Sequence, residues 1–142
     1  MHRRPLGRGR LLASLGAIVI LVGSALPWYS TGGGAGELPA RTLHAFDGSG
    51  FLSFVAALGL LALVALPYAA VDRPVAVDRW LSFALLALLA FVGVLLWPVN
   101  LLGDLAAGLL PDRAYGYWIA VVGVLMVCRA AYEIRLEPDR RY

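Results

Sequence analysis

The residues that could bind a metal or transfer a proton are few, and three of them fall in one short segment. Glu37, His44 and Asp47 lie between two long apolar blocks of the sequence. Carboxylates and an imidazole can serve as acid–base groups or metal ligands, but this spacing matches no specific metal motif, and a metal site needs several converging ligands. We interpret the segment as a solvated loop. A binding or ligand-sensing site formed by these three side chains is the alternative.

Nucleophilic catalysis has little support in the sequence. Cys128 is the single cysteine, and it lies near the end of the fourth apolar block, whereas His44 lies in the loop between the first two blocks. A cysteine–histidine pair on one side of the protein is therefore not expected. The sequence contains no G-x-S-x-G string, and the glycine-rich run at residues 32–36 is not followed by the lysine of a P-loop. We predict a protein that is not an enzyme and that has no cofactor and no metal.

Four long apolar blocks must position every other residue. Of the 142 residues, 61% are apolar and 15% are charged, whereas a soluble domain has about 25% charged residues. The blocks cover about residues 11–29, 51–71, 80–97 and 114–132, and the first three contain no charge. A helix of such a length spans about 28 Å, close to the hydrocarbon core of about 30 Å, and pairs its own backbone in lipid. We predict an all-α polytopic membrane protein, with residues 1–142 forming a single four-transmembrane-helix bundle.

The arginines predict the orientation of this bundle. All twelve basic residues are arginine, and ten of them flank the same ends of the four blocks. Because arginine-rich segments stay in the cytoplasm, we expect both termini, the loop 72–79 and the tail 133–142 there, in a bacterial plasma membrane. The outer loops would be residues 30–50 and 98–113. The arginines flank apolar blocks and do not line one face, so nucleic acid is not an expected partner.

Aromatic residues mark the predicted membrane boundaries. Tryptophan and tyrosine prefer these interfaces because the ring takes apolar contacts while its polar atom reaches water. We predict that Trp80 is an anchor at the inner boundary. The predicted anchors at the outer boundary are Trp28, Tyr29, Trp97, Tyr115, Tyr117 and Trp118.

The second outer loop predicts a short helix on the membrane surface. We expect Pro98 and Pro111 to break the helix on either side of it. Between them, four apolar residues share one helical face, as in an interfacial helix. An ordinary apolar loop packed on the bundle is the alternative. The four residues are Leu102, Leu105, Ala106 and Leu109.

Residues 1–25 also fit a secretory signal peptide. They contain a basic start, an apolar stretch and the small residues Gly23, Ser24 and Ala25, which is the order of a signal sequence. Cleavage there would leave three helices. We favour a retained first helix, because Trp28 and Tyr29 are better explained as its anchor.

The most distinctive string in the chain closes the first apolar block, and reads Leu26-Pro27-Trp28-Tyr29-Ser30. A glycine-rich loop, the segment 42–48 with Ala45-Phe46, and the string Tyr115-Gly116-Tyr117-Trp118 at the start of the last block follow it. In this layout the chain resembles a group of small four-helix membrane proteins of actinobacteria with an L-P-W-Y-type end to the first helix. The resemblance implies the same topology, and it implies no activity and no catalytic residues.

The strings also suggest contacts at the outer end of the bundle. Pro27 would end or bend the first helix, and Ala45-Phe46 would fold back onto the helix ends. We therefore predict that Phe46 packs against Trp28 or Trp97.

The predicted function is that of a structural or accessory subunit that acts through helix packing. The middles of the four blocks hold no ionisable residue, whereas proton-coupled transport uses such groups. Small residues that let helices approach are frequent, such as Gly16 and Gly23 one heptad apart, and we interpret them as packing within the bundle. Expected partners are the lipid bilayer and a second copy or another membrane protein. The alternatives are a small oligomeric transporter or channel-like protein, with a polar cavity between helices, and an outer-loop ligand sensor.

Overall fold

The computed structural model of the chain describes residues 7–31, 39, 41–69, 80–106 and 115–136, and helices make up most of them. Each helix packs on two of the others, so that the contacts close a ring in chain order. The helices are α1 (Arg8–Ala25), α2 (Gly50–Ala69), α3 (Trp80–Ala106) and α4 (Tyr115–Leu136).

Three of the four helices are long and apolar enough to cross a membrane. The spans are Arg8–Ala25, Gly50–Pro67 and Trp80–Val99, with mean hydropathies of 1.5, 2.3 and 2.4. These values indicate a membrane protein with transmembrane helices. The fourth helix is not among these spans, and its last two turns carry Arg129, Glu133 and Arg135.

The contact between α1 and α4 brings backbone against backbone. A Cβ atom added to Gly16 would lie 3.0 Å from the carbonyl oxygen of Gly123, and one added to Gly23 would lie 2.6 Å from the amide nitrogen of Ala120. Such an approach requires glycine on the facing surfaces. The two helices run antiparallel, because Gly9 at the start of α1 faces Ile134 near the end of α4.

Serine hydroxyls join α2 to α3. The hydroxyl of Ser53 donates to the carbonyl oxygen of Ala90 at 2.8 Å, and that of Ser49 donates to the carbonyl oxygen of Gly93 at 3.2 Å. Gly93 lies directly against Ser53, with no space for a side chain. In an apolar bundle each such bond satisfies a hydroxyl that would otherwise be costly to bury.

The outward faces of all four helices carry large apolar side chains, whereas small residues fill much of the inner contacts. On α1, the residues buried against the bundle are Gly9, Ala13, Gly16, Ala17, Ile20, Gly23 and Ser24. The exposed large side chains include Leu11, Leu15, Ile18 and Val22 on α1, Phe51, Val55 and Leu58 on α2, Leu81, Leu85, Leu88 and Leu95 on α3, and Trp118, Val122 and Leu125 on α4.

The first helix ends earlier than the sequence predicts. It stops at Ala25 and not at Tyr29, and Leu26 already has extended backbone with φ −85° and ψ 159°. The residue before a proline is pushed towards such a conformation. Pro27 therefore makes Leu26 extended, and Ala25 is the last helical residue.

A small β-hairpin occupies the segment that the sequence analysis treated as a loop. Strand β1 (Tyr29–Thr31) pairs antiparallel with β2 (Arg41–Leu43), with Tyr29 opposite Leu43. A 3-10 turn, Ala45–Asp47, then leads into α2. We call this end of the bundle, from residue 26 to residue 50 with the adjoining ends of α3 and α4, the hairpin end.

The third helix continues through a proline, which corrects the prediction of a break at Pro98. It runs to Ala106 as one helix of 27 residues, or about 40 Å. The described part of the interfacial helix predicted after residue 98, up to Ala106, therefore belongs to α3, and the rest of that prediction lies outside the described residues. A proline removes one intrahelical hydrogen bond. At the hairpin end, the hydroxyl of Tyr117 contacts the carbonyl oxygen that this leaves open.

The other predicted boundaries either differ from the observed ones by a few residues or fall outside the described residues. Helix α2 begins at Gly50, one residue before the predicted start, and α4 continues to Leu136, into the segment predicted as tail. The glycine-rich part of the first loop, the loop 72–79, residues 107–114 and residues 137–142 lie outside the described residues.

Candidate functional site

Three aromatic rings, two of them buried and one half-buried, form a cluster at the hairpin end. Trp28 is 5.5 Å from Trp97 and 5.5 Å from Tyr117 between ring centroids, with edge-on geometry in both pairs. Trp97 and Tyr117 are 5.6 Å apart. Because these residues follow α1, lie in α3 and begin α4, the cluster ties three parts of the chain together. Aromatic pairs of this geometry contribute about 0.5–1.5 kcal/mol each beyond burial.

Hydrogen bonds fix Trp28 at the centre of this cluster. Its indole Nε1–H donates to the carbonyl oxygen of Gly23 at 2.9 Å, near the end of α1. Its backbone N–H donates to the carbonyl oxygen of Leu43 at 2.9 Å, which attaches the residue to β2. The indole is fully buried, and its one donor is satisfied, as a buried tryptophan requires.

Two small residues leave the space that the indole occupies. A Cβ atom added to Gly50 would lie 2.7 Å from Trp28 ring atoms and 2.9 Å from the Cα atom of Ala45. Ala45 itself is fully buried. The start of α2 and the 3-10 turn therefore close on the tryptophan ring, and a side chain at position 50 would push them apart.

The hydroxyl of Tyr117 lies where α3 lacks a hydrogen bond. Pro98 has no N–H to donate to the carbonyl oxygen of Val94, four residues earlier. The Tyr117 hydroxyl donates to this same oxygen, at 3.5 Å. A side chain of α4 thus supplies a long hydrogen bond to the carbonyl group that the proline leaves open.

The predicted interface anchors divide into two groups. Tyr115, Trp118 and Trp80 are exposed, by 51%, 64% and 46%, so they are free to contact a membrane interface. Tyr117 is half-buried. Trp28, Tyr29 and Trp97 are buried inside the hairpin end, and their place at the membrane boundary stays a prediction. Their rings contact one another, with Tyr29 and Trp97 6.2 Å apart.

Phe46 does not take the place that the sequence analysis gave it. Its ring lies 5.0 Å from that of Phe54 in α2 and is half exposed, whereas we predicted packing against Trp28 or Trp97. The preceding residue, Ala45, is the one that enters the cluster, since only a small side chain fits beside the indole.

Two of the three outer-loop candidates for a binding site, His44 and Asp47, contact each other. The carboxylate of Asp47 accepts a hydrogen bond from the backbone N–H of His44 at 2.7 Å, which holds the 3-10 turn. Glu37 lies outside the described residues. Among the residues that the structure describes, no three His, Cys, Asp or Glu side chains gather as metal ligands would.

The charged pair of α4 faces the surface. Arg129 and Glu133 form an ion pair at 3.0 Å, with their side chains 67% and 31% exposed. An exposed pair of this spacing contributes a few tenths of a kcal/mol.

Comparison of the chain with protein-family models, with curated proteins and with solved structures finds no match. The described fold is a helical bundle with three helices long and apolar enough to cross a membrane, and packed aromatic rings close its hairpin end. The sequence analysis named all of these rings, as anchors at the lipid boundary. The contact of Tyr117 had one signal in the sequence. A proline at position 98 leaves the carbonyl oxygen of Val94 without its usual backbone donor.

Proposed function

We propose that this chain is a four-helix integral membrane protein of a bacterial plasma membrane, in which α4 also crosses the bilayer. We further propose that it is a structural or accessory subunit that acts through helix packing and catalyses no reaction. We also propose that the chain is related to the small four-helix membrane proteins of actinobacteria that its Leu26–Ser30 string resembles.

One observation carries the proposal: side-chain sizes are inverted relative to a soluble protein. On α4, the buried face holds small residues such as Gly116, Ala120 and Gly123, while Trp118 and Leu125 are 64% and 61% exposed. In water such an apolar stripe would favour aggregation. In lipid the stripe is solvated and the small residues let the helices approach. This pattern supports a membrane-spanning α4 despite its charged last turns.

The distribution of charge supports an orientation with the hairpin end outside. Arg8 and Arg10 begin α1, and Arg129 and Arg135 lie near the end of α4, at the opposite end from Arg41 in β2. Arginine-rich ends remain in the cytoplasm. Both termini therefore face the cytoplasm.

The packing of α1 supports its retention in the mature protein. Its glycines contact the α4 backbone directly, and Trp28 donates to the carbonyl oxygen of Gly23 across the position where a signal peptidase would act. Removal of residues 1–25 would uncover the glycine face of α4 and the cluster around Trp28.

Cysteine labelling tests the topology. In a Cys128→Ala background, Thr42→Cys places a thiol on exposed β2, and Leu136→Cys places one at the exposed end of α4. A membrane-impermeant maleimide should label position 42 in intact cells and position 136 only after permeabilisation. If α4 does not cross the membrane, position 136 reacts in intact cells and the four-helix proposal fails. Labelling of position 42 only after permeabilisation would contradict the orientation.

Photo-crosslinking tests the role as a subunit. A photoreactive residue at Leu88 of α3 or at Leu125 of α4 probes two outward faces that are 57% and 61% exposed. We expect a defined protein adduct, with a second copy or another membrane protein, from at least one position. Purified protein in liposomes should carry no ion flux. Lipid adducts alone from both positions, or a flux above that of empty liposomes, would contradict the proposal.

A further inference from the structure

One buried hydrogen-bond donor at the hairpin end has no acceptor in the described part of the chain. Trp97 is 8% exposed, and its ring contacts those of Trp28, Tyr29 and Tyr117. The indole N–H of Trp28 donates to the carbonyl oxygen of Gly23. In contrast, none of the described residues accepts a hydrogen bond from Nε1–H of Trp97. A buried N–H group without an acceptor costs free energy, and an acceptor from outside the chain would remove this cost.

This N–H group lies next to a surface residue that has no side chain. A Cβ atom added to Gly48 would lie 3.8 Å from Cδ1 and 3.9 Å from Nε1 of Trp97. Apart from the chain neighbours of Gly48, these are the only described atoms within 4 Å of that position. Gly48 itself is exposed. The edge of the indole that carries the N–H, and not its six-membered ring, is therefore the part of Trp97 nearest to position 48.

Neither packing nor backbone conformation requires glycine at position 48. Its φ of −169° and ψ of −151° describe an extended backbone that other residues also adopt. The distances of 3.8 and 3.9 Å are ordinary van der Waals contacts. At Gly50, in contrast, an added Cβ would lie 2.7 Å from ring atoms of Trp28, so that glycine is needed for packing. The effect of glycine at position 48 is to leave the N–H edge of Trp97 uncovered and within reach of a ligand.

The residues beside Gly48 indicate the chemistry of this ligand. Asp47 precedes Gly48 in the chain, and its carboxylate disfavours an anion such as a phosphate group at the same place. The backbone N–H of Phe51 donates to the carbonyl oxygen of Gly48 at 3.2 Å. Phe46 and Phe51 are each 50% exposed, and both rings contact that of Phe54. A neutral acceptor oxygen that is attached to an apolar chain fits these surroundings.

We propose that Trp97 donates a hydrogen bond, past Gly48, to the ester carbonyl oxygen of a membrane glycerolipid, whose acyl chain contacts the exposed rings of Phe46 and Phe51. Indole rings are enriched at headgroup level, and the glycerol esters join the headgroup to the hydrocarbon chains. The inference rests on the proposed function in one respect, since the hairpin end must lie at a membrane boundary. Trp97 then contacts lipid through its N–H edge alone, while the rest of its ring stays within the protein.

The test compares two lipids that differ in the ester carbonyl groups. The full-length chain, labelled with nitrogen-15 in its tryptophans, is placed in nanodiscs of a diester phosphatidylcholine or of the diether lipid with the same headgroup and chain length. The indole N–H signals are recorded by NMR, and each is assigned by replacing one tryptophan with phenylalanine. We expect the Trp97 proton signal to lie further downfield in the diester lipid, with an Overhauser contact to lipid acyl protons. The Trp28 signal should be the same in both lipids, because its acceptor is Gly23.

Gly48→Val covers the N–H edge and should abolish the difference between the two lipids at Trp97. The matched control Thr42→Val adds the same side chain on exposed β2 and should preserve it. Equal Trp97 signals in the two lipids, an Overhauser contact with water alone, or an unchanged lipid dependence in Gly48→Val would overturn the proposal. The wild-type comparison decides by itself if Gly48→Val does not fold, which its Trp28 signal reports. Trp118, 64% exposed at the same end, contacts lipid whenever the hairpin end lies at a membrane boundary. A lipid contact of Trp118 without one of Trp97 therefore rejects the site and leaves the proposed function standing.

Discussion

Replacement of Gly23 by alanine should separate the two most closely packed helices of the bundle. The added Cβ would lie 2.6 Å from the nitrogen of Ala120, 3.0 Å from its Cα atom and 2.9 Å from the carbonyl oxygen of Gly116. Ordinary contacts begin at about 3.4 Å. All three neighbours are backbone atoms, so no side chain can rotate away, and α1 must move from α4 by several tenths of an ångström or more.

The cost follows from the two effects that the substitution combines. Extra volume in a well-packed interior costs about 1–3 kcal/mol. Against this, alanine stabilises a helix by up to about 1 kcal/mol relative to glycine. We expect a net loss of about 1–2 kcal/mol in the free energy of unfolding, since the displacement also loosens the neighbouring contact at Gly16.

Gly59→Ala is the matched control within the same bundle. The Cβ atom added there would lie 3.1 and 3.2 Å from the two δ carbons of Leu86, which are the far end of a flexible side chain. This variant should be between neutral and about 1 kcal/mol more stable than the wild type.

The assay is reversible unfolding of both variants in mixed micelles by titration with sodium dodecyl sulfate, followed by circular dichroism. If Gly23→Ala proves as stable as Gly59→Ala, the backbone contact between α1 and α4 does not hold the bundle together, and the reasoning fails.

Three further substitutions test other contacts by the same unfolding assay. Tyr117→Phe removes the donor to the carbonyl oxygen of Val94, and the long 3.5 Å bond predicts a loss of at most about 1 kcal/mol; a gain in stability would contradict the link to α3. Ser53→Ala removes a 2.8 Å bond between α2 and α3 and should cost about 0.6 kcal/mol, whereas Ser14→Ala, whose hydroxyl bonds only its own helix, should cost close to nothing. Trp28→Phe leaves a cavity and removes one of the two donors to the carbonyl oxygen of Gly23, which keeps the backbone N–H of Leu26, and it should cost about 2–4 kcal/mol together with most of the near-ultraviolet dichroism; an unchanged spectrum would show that the cluster is not ordered.

Local sequence was sufficient for most of the helices. A run of about twenty apolar residues satisfies its backbone only by becoming helical in lipid, and this requirement does not depend on the rest of the chain. The blocks at residues 51–71 and 80–97 accordingly match α2 and the first part of α3. The heptad spacing of Gly16 and Gly23 likewise indicated a packing face before its partner was known.

The hairpin end could not be read in this way. Strand β2 holds only three residues, and its partners in β1 lie ten to fourteen residues earlier in the chain, at a separation that no local periodicity reveals. The proline rule predicted a break in α3, but a hydroxyl group from α4 contacts the open carbonyl of Val94. Tryptophan preference for interfaces placed Trp28 at the lipid boundary, yet the structure buries it.

The sequence by itself determined that the chain forms apolar helices long enough to cross a membrane, because hydropathy acts on each segment independently. Only the tertiary structure decided which residues close the hairpin end and which remain exposed to lipid. Those choices depend on how closely α1 and α4 approach at Gly23 and Gly116, and on how closely the Trp28 ring approaches Gly50. Such distances join segments that are far apart in the chain, so no single segment determines them.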